Sequence, residues 1–198
     1  MSKIIKMTPK EFKTKWLQGN SDTWCEFEEN EVASLPVSSI TKNWLRVGFA
    51  ESAAPFLDFG IANYDGKFYS IAGYYEGFEL NSNTEHSWIL GSDGAGNPIC
   101  IDSAKNDRIV LLDHELDFEI QSILNSNVAE LALCLLEYRD FILKVQSECG
   151  EDAYMDAGYS RKHVLELKSK MEQIDPLLFT RCDFWNDEIQ RLLDEIKI

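Results

Sequence analysis

Basic side chains are scarce in this sequence. It has 19 lysines and arginines against 34 aspartates and glutamates, which gives a formal net charge of −15. The deficit lies between residues 20 and 142, where six basic residues stand against 21 acidic ones. Because nucleic acid binding depends on Lys and Arg that displace counterions from phosphates, we exclude nucleic acid as a partner. A basic partner is favoured instead, although an acidic surface also keeps proteins soluble.

Long apolar runs and paired cysteines are also missing. No stretch approaches the roughly 18 apolar residues that a membrane-spanning helix needs, and no long apolar segment follows Lys3 and Lys6. The five cysteines are scattered and odd in number, and no CxxC pair occurs. Such cysteine usage is typical of reduced thiols in a cytoplasm. The sequence therefore predicts a cytoplasmic protein that does not contact a membrane.

Recognisable catalytic and metal-binding motifs are absent from the sequence. Its three histidines lie far apart, and it contains no HExxH, no P-loop and no GxSxG. In the segment Gly91–Asn97, Ala95 occupies a position where a calcium loop needs a ligand. Asp113, His114 and Glu115 can be drawn as an acid/base cluster, but this grouping at a strand end favours a solvated rim. We predict no catalytic residue, no metal ligand and no cofactor.

The most informative stretch that is present covers residues 86–124. Three short runs rich in β-branched residues, at 86–90, 98–102 and 108–112, are separated by Gly, Asn, Asp and Ser. A fourth run, at 120–124, leads into the longest helical pattern of the chain. This alternation is typical of antiparallel strands joined by tight turns. It predicts a β-meander.

Helical and strand patterns surround the meander. Thr8, Pro9 and Glu11 form an N-terminal helix signal, with Gly19 as the expected end of that helix. Further helices are expected at 39–47, 128–145 and 162–173, and a last one begins at an N-cap at Asp183. In the helix at 39–47, Ile40, Trp44 and Val47 are expected to face inward. Strands are expected at 24–27, 56–59, 61–64 and 67–75, with Asp65–Gly66 as a hairpin turn. These patterns predict an α+β fold. We expect residues 1–147 to form a twisted, mainly antiparallel sheet with helices packed on it. Residues 148–198 are expected to form a helical extension that packs on this domain; the alternative is that its helices cover a partner.

Several motifs in and around the meander resemble one family. They are the turn Gly91-Ser-Asp-Gly-Ala-Gly-Asn97, the strand Ile99-Cys-Ile-Asp102, the triplet Asp113-His-Glu115, and Asn125-Ser126 before the long helix. Together they resemble the SUKH superfamily, and the run from Asn43 to Phe59 is similar to its fourth subgroup. The likeness extends over about residues 30–145. It implies an α+β domain.

The resemblance also implies a function. The superfamily gathers relatives of a yeast cell-wall-synthesis regulator and many immunity proteins of bacterial polymorphic toxin systems. We therefore expect a non-enzymatic immunity protein that neutralises a cognate toxin by stoichiometric binding. Its acidic surface suits a toxin with a basic cleft, such as a nuclease or a nucleic-acid deaminase. The alternative is a regulatory scaffold without a toxin partner, followed by a small-molecule enzyme.

Two stretches are candidates for partner binding. The first is the aromatic and glycine-rich run with Tyr74, Tyr75, Glu76 and Phe78, because tyrosine is favoured at recognition surfaces. The alternative is that these rings cover a sheet end. The second comprises four alternating acids: Asp113, Glu115, Asp117 and Glu119. In an extended chain they would project from one face. The oligomeric state and the toxin are not specified by the sequence.

Overall fold

The computed structural model describes residues 7–18, 23–60, 67–77, 80 and 84–196. A short antiparallel pair joins β1 (Trp24–Cys25) to β2 (Phe49–Ala50). The main sheet has six antiparallel strands whose order follows the chain: β3 (Ser52–Ala53), β4 (Leu57–Phe59), β5 (Ser87–Asp93), β6 (Pro98–Asp102), β7 (Arg108–Asp113) and β8 (Glu119–Asn125). The predicted meander is therefore confirmed, and the fourth apolar run adds a further strand to it as β8.

Helices precede, interrupt and follow the sheet, so the predicted α+β class is confirmed. They are α1 (Pro9–Trp16), α2 (Glu29–Ser34), α3 (Ser39–Leu45), α4 (Ile71–Tyr74), α5 (Val128–Cys149), α6 (Arg161–Ile174), α7 (Leu178–Arg181) and α8 (Asp183–Glu195). The Thr8 hydroxyl accepts the N–H of Glu11, and the Glu11 carboxylate accepts the N–H of Thr8, as predicted. Gly19 lies outside the described residues. No helix in the described ranges is long and apolar enough to cross a bilayer.

The two faces of the sheet are covered differently. Because side chains alternate along a strand, Leu111 and Leu112 point to opposite faces. Leu111 belongs to a large core shared with the long helices, whereas Leu112 belongs to a small core with Ile71 and Phe118. The second face is therefore covered by α4 and by the β7–β8 turn.

The large core continues into the C-terminal helices. It includes Leu135 of α5 and Trp185 of α8, both almost fully buried. The N–H of Phe184 donates to Ser122 Oγ of β8 at 3.2 Å, and Asp175 Oδ2 accepts the N–H of Ser126 at 3.0 Å. Helices α6, α7 and α8 thus pack on α5 and on β8. The expected boundary after residue 147 falls inside α5, which ends at Cys149.

The strand predicted over residues 67–75 does not form. Residues 67–69 have no regular secondary structure, and Ser70 makes only an isolated antiparallel bridge to Trp88. Residues 71–74 form a single helical turn, and Ser70 caps it by accepting the N–H of Gly73 at 3.1 Å. Ile71 is completely buried against the sheet, so tertiary packing overrides the strand propensity of the tyrosines. Residues 61–66, with the expected hairpin turn at Asp65–Gly66, lie outside the described residues.

Two smaller predictions about helices are also wrong. Ile40 is 64% exposed, because the inward stripe of α3 consists of Thr41, Trp44 and Leu45. Thr41 fixes this orientation by donating its hydroxyl to the Asp107 carboxylate at 2.8 Å. Trp44 is buried, as predicted. The N-cap of α8 is Cys182 rather than Asp183.

Candidate functional site

The four alternating acids do not lie on one extended strand. Asp113 is the last residue of β7 and Glu119 the first of β8, and the chain reverses between them. Asp117 and Phe118 adopt left-handed backbone angles, with φ of 51° and 57°. The expectation that all four side chains share one strand face is therefore wrong. The acids instead surround a tight β-hairpin turn.

Asp113 has a structural role in this turn. Its carboxylate accepts the N–H of Glu115 at 2.8 Å, and its carbonyl oxygen accepts the N–H of Phe118 at 2.9 Å. Asp113 is half-buried, whereas Glu115, Asp117 and Glu119 are exposed. Asp113 and Glu119 lie directly opposite each other across the strands. Since like charges in that arrangement are destabilising, the acidity of the turn is not explained by folding.

The aromatic run forms the end of α4 and the turn after it. Tyr74 is 49% exposed, and its ring contacts those of Tyr69 and Tyr75 at centroid distances of 5.8 and 5.0 Å. Tyr75 is half-buried, and burial raises the pKa of its hydroxyl. Glu76 is exposed. Phe78 lies outside the described residues.

The structure brings the two predicted stretches together. The rings of Tyr75 and Phe118 are in contact, with centroids 4.6 Å apart, and both belong to the small core beneath α4. Burial of Phe118 in this core holds the turn against α4. We call the combined patch the acidic–aromatic surface: Tyr74, Glu76, Glu115, Leu116, Asp117, Glu119 and Ile120. Of the eight predicted partner-binding residues, Tyr75 and Asp113 serve mainly to build this patch.

Two apolar residues of this surface were missed at the sequence level. Leu116 is 60% exposed and Ile120 is 37% exposed. Ile120 pairs with Leu112, so its side chain lies on the same sheet face as α4. The sequence contains a signal for their exposure, because Leu116 and Ile120 each follow an acidic residue of the alternating run.

The charge of the surface is uniformly negative along the chain. Neither residues 68–104 nor residues 109–138 contain a lysine or an arginine. Both stretches of the acidic–aromatic surface fall inside these ranges. A partner with a basic surface would meet the carboxylates of Glu76, Glu115, Asp117 and Glu119 there.

His114 is part of the framework of the turn. Its Nδ1 lies 2.7 Å from Asn97 Oδ1, and its backbone N–H donates to the same oxygen at 3.3 Å. The amide of Asn97 in turn donates to Asp93, which closes the β5–β6 turn. His114 therefore connects two neighbouring turns. In these contacts the imidazole of His114 bonds Asn97, and the Asp113 carboxylate bonds the N–H of Glu115.

Thiol chemistry is disfavoured at four of the five cysteines. Burial raises the pKa of Cys25 and of Cys182 to about 11, and it raises the pKa of Cys100 and Cys134 well above the usual range. These thiols stay protonated at neutral pH, and a thiol attacks only as thiolate. Over the residues that the structure describes, His, Cys, Asp and Glu do not gather in threes to hold a metal ion.

Comparisons of the chain with protein-family models, with curated proteins and with solved structures gave no match.

Proposed function

We propose that this protein is an immunity protein that binds a cognate toxin domain and neutralises it stoichiometrically in the cytoplasm. The supporting observation is the contact between Tyr75 and Phe118, which joins two acidic stretches into one surface. That surface combines exposed carboxylates with Tyr74, Leu116 and Ile120. Apolar anchors ringed by charge are typical of specific protein interfaces. The resemblance to the SUKH superfamily adds the toxin as the expected partner.

The binding mode follows from the distribution of charge. Carboxylates of Glu115, Asp117 and Glu119 would pair with Lys and Arg of the toxin, and Tyr74 and Leu116 would pack between them. Such a surface mimics the negative charge of a nucleic acid, so a nuclease or a deaminase acting on nucleic acid is the best-suited toxin. Inhibition then requires only that this surface is bound to the toxin, and no group of the protein transfers a proton.

Co-expression with the toxin domain encoded beside the gene tests this function. Wild-type protein should restore growth, and Glu115→Lys/Glu119→Lys should protect poorly because it places two cations in the basic interface. Asp113 is left unchanged because it holds the turn. The control Glu28→Lys/Glu172→Lys has the same change in net charge at two exposed positions on other elements, one directly before α2 and one on α6.

A further variant separates binding from catalysis. His114→Gln should protect as well as wild type, because the imidazole has a structural contact and no assigned reaction step. Full loss of protection by His114→Gln, in a folded protein that still binds the toxin, would show an enzymatic mechanism. Absence of protection by the wild-type protein would favour the regulatory scaffold.

A further inference from the structure

A second candidate binding surface is a groove on the other face of the sheet. It lies between α8, the β3–β4 and β5–β6 turns and the outer part of β7 and β8, and its volume is about 700 Å³. Leu111 and Ser122 contribute to its floor, whereas Leu112 and Ile120 face the acidic–aromatic surface. The two surfaces are therefore on opposite sides of the sheet.

Phe56 forms one wall of this groove. Its side chain is 79% exposed, and its backbone has a φ of 58°, which is unfavourable for a residue with a Cβ. The β5–β6 turn approaches Phe56 closely, since a Cβ at Gly94 would lie 3.2 Å from the Cβ of Phe56. An aromatic ring exposed to solvent, on an unfavourable backbone, gains little from burial in the core. Strained, exposed residues of this kind occur at binding sites.

The opposite wall is negatively charged. Asp183 and Asp187 are exposed, lie one turn apart on α8 and line the groove beside Phe184. Neither carboxylate has a hydrogen bond or ion pair with any residue in the described part of the chain. Arg191, at the end of the groove, donates to both Glu188 and Glu195 at 2.6–2.9 Å. Two carboxylates thus neutralise the cation in this wall.

We propose that the groove docks a basic segment of a partner protein. A Lys or Arg side chain would lay its apolar stem, or its guanidinium plane, on Phe56 and Phe184 and place its charge against Asp183 and Asp187. The apolar floor formed by Leu111 accommodates a neighbouring aliphatic residue of that segment. Negative charge in the wall excludes a nucleic acid strand. This proposal is independent of the proposed immunity function, because either surface can bind without the other.

The test uses a short fluorescein-labelled peptide of alternating Arg and Leu as the probe. Its binding to the full chain is measured by fluorescence anisotropy at low salt. Phe56→Ala removes the ring without changing charge, and it should weaken binding about fivefold or more, as expected for loss of a cation–π contact. Asp187→Asn should weaken binding similarly. Asp187 is preferred to Asp183, because Asp183 in the first turn of α8 also stabilises the helix.

Two control variants with the same change of charge show whether a loss of peptide binding is specific to the groove. Glu172→Gln changes the charge by the same amount on the exposed side of α6, and Glu115→Gln does so on the acidic–aromatic surface. Both should bind the peptide within about twofold of wild type, since screening limits the effect of distant charges. Thermal melts establish that Phe56→Ala is folded. Absence of saturable binding by wild type, an unchanged affinity of Phe56→Ala, or a loss with Glu115→Gln equal to that with Asp187→Asn would overturn the proposal.

Discussion

At the scale of single residues, Glu130 has the most unusual environment. It lies in the first turn of α5, and its Oε2 is buried without a hydrogen-bond partner. Asp175, which is 2% exposed, is a charged neighbour. Burial is the largest cause and the charge of Asp175 the second, and they raise the pKa of the Glu130 carboxyl to about 7 from an ordinary value of 4.5. The folded protein therefore keeps this carboxyl protonated in slightly acidic solution.

This pKa predicts a pH dependence of stability. Between pH 4.5 and about 7 the folded state binds more protons at Glu130 than the unfolded state, so the free energy of unfolding falls as pH rises. We expect a loss of about 1–2 kcal/mol, because the partial exposure of the side chain weakens the full effect of the shift. Urea unfolding of wild type and Glu130→Gln across this range measures it. Parallel pH profiles for the two proteins would contradict the prediction.

Asp113 illustrates what sequence alone does not reveal about a residue. Its alternation with Glu115, Asp117 and Glu119 predicts an extended strand. The turn that actually forms contains neither Gly nor Asn, which are the usual signals for left-handed backbone. Its conformation is maintained by the Asp113 carboxylate and by burial of Phe118. The Asp113 bond is local to the turn, whereas the burial of Phe118 against Tyr75 is a tertiary contact that the local pattern does not contain.

At the scale of elements, α5 supports both the sheet and the C-terminal helices. Leu135 is 1% exposed in the large core, whereas Leu143 on the same helix is 48% exposed. We expect Leu135→Asp to lower the free energy of unfolding by about 3 kcal/mol or more, because it places a charge in an apolar interior. Leu143→Asp should cost less than about 1 kcal/mol. Urea titration of both variants tests this placement, and equal losses would refute it.

The elements that the sequence predicted best are those with a strong period. The stripe of α5 and the runs of β5 to β8 are long, apolar and bounded by turn residues, so local pattern and core packing agree. Residues 71–74 were mispredicted because tyrosine favours strands, while a cap at Ser70 and burial of Ile71 select a helical turn. Where a short segment has competing local signals, its tertiary contacts determine its conformation.

At the scale of the whole molecule, one core connects the first helix to the last. The large core extends from Phe12 in α1 to Leu192 in α8. The Tyr138 hydroxyl of α5 donates to Glu188 of α8, so a buried polar contact accompanies the apolar ones. We therefore expect a single cooperative unfolding transition. Circular dichroism and tryptophan fluorescence should give the same midpoint, and two separated transitions would show that residues 148–198 fold as an independent unit.

The candidate site itself could be predicted only in parts. Both of its stretches stood out in the sequence, one by its aromatics and one by its acids. Their union depends on which sheet face α4 covers, and this is determined by the contact of Tyr75 with Phe118 across 43 positions of the chain. Periodicity within a segment contains no information about such a distant pairing. The groove beside Phe56 was missed for the same reason, since it is assembled from five separate segments.

The role of the acidic–aromatic surface in partner binding is tested most directly by the rate of association with the toxin domain across a salt series. Stopped-flow rates are compared for wild type, Glu115→Lys/Glu119→Lys and the charge-matched control Glu28→Lys/Glu172→Lys. We predict that the first variant associates about tenfold or more slowly than wild type at low salt, and that the control differs far less. The difference should shrink as the Debye length falls below about 10 Å above 0.1 M salt. Equal low-salt rates for the two charge-reversed variants would contradict a role of the acidic–aromatic surface in partner binding.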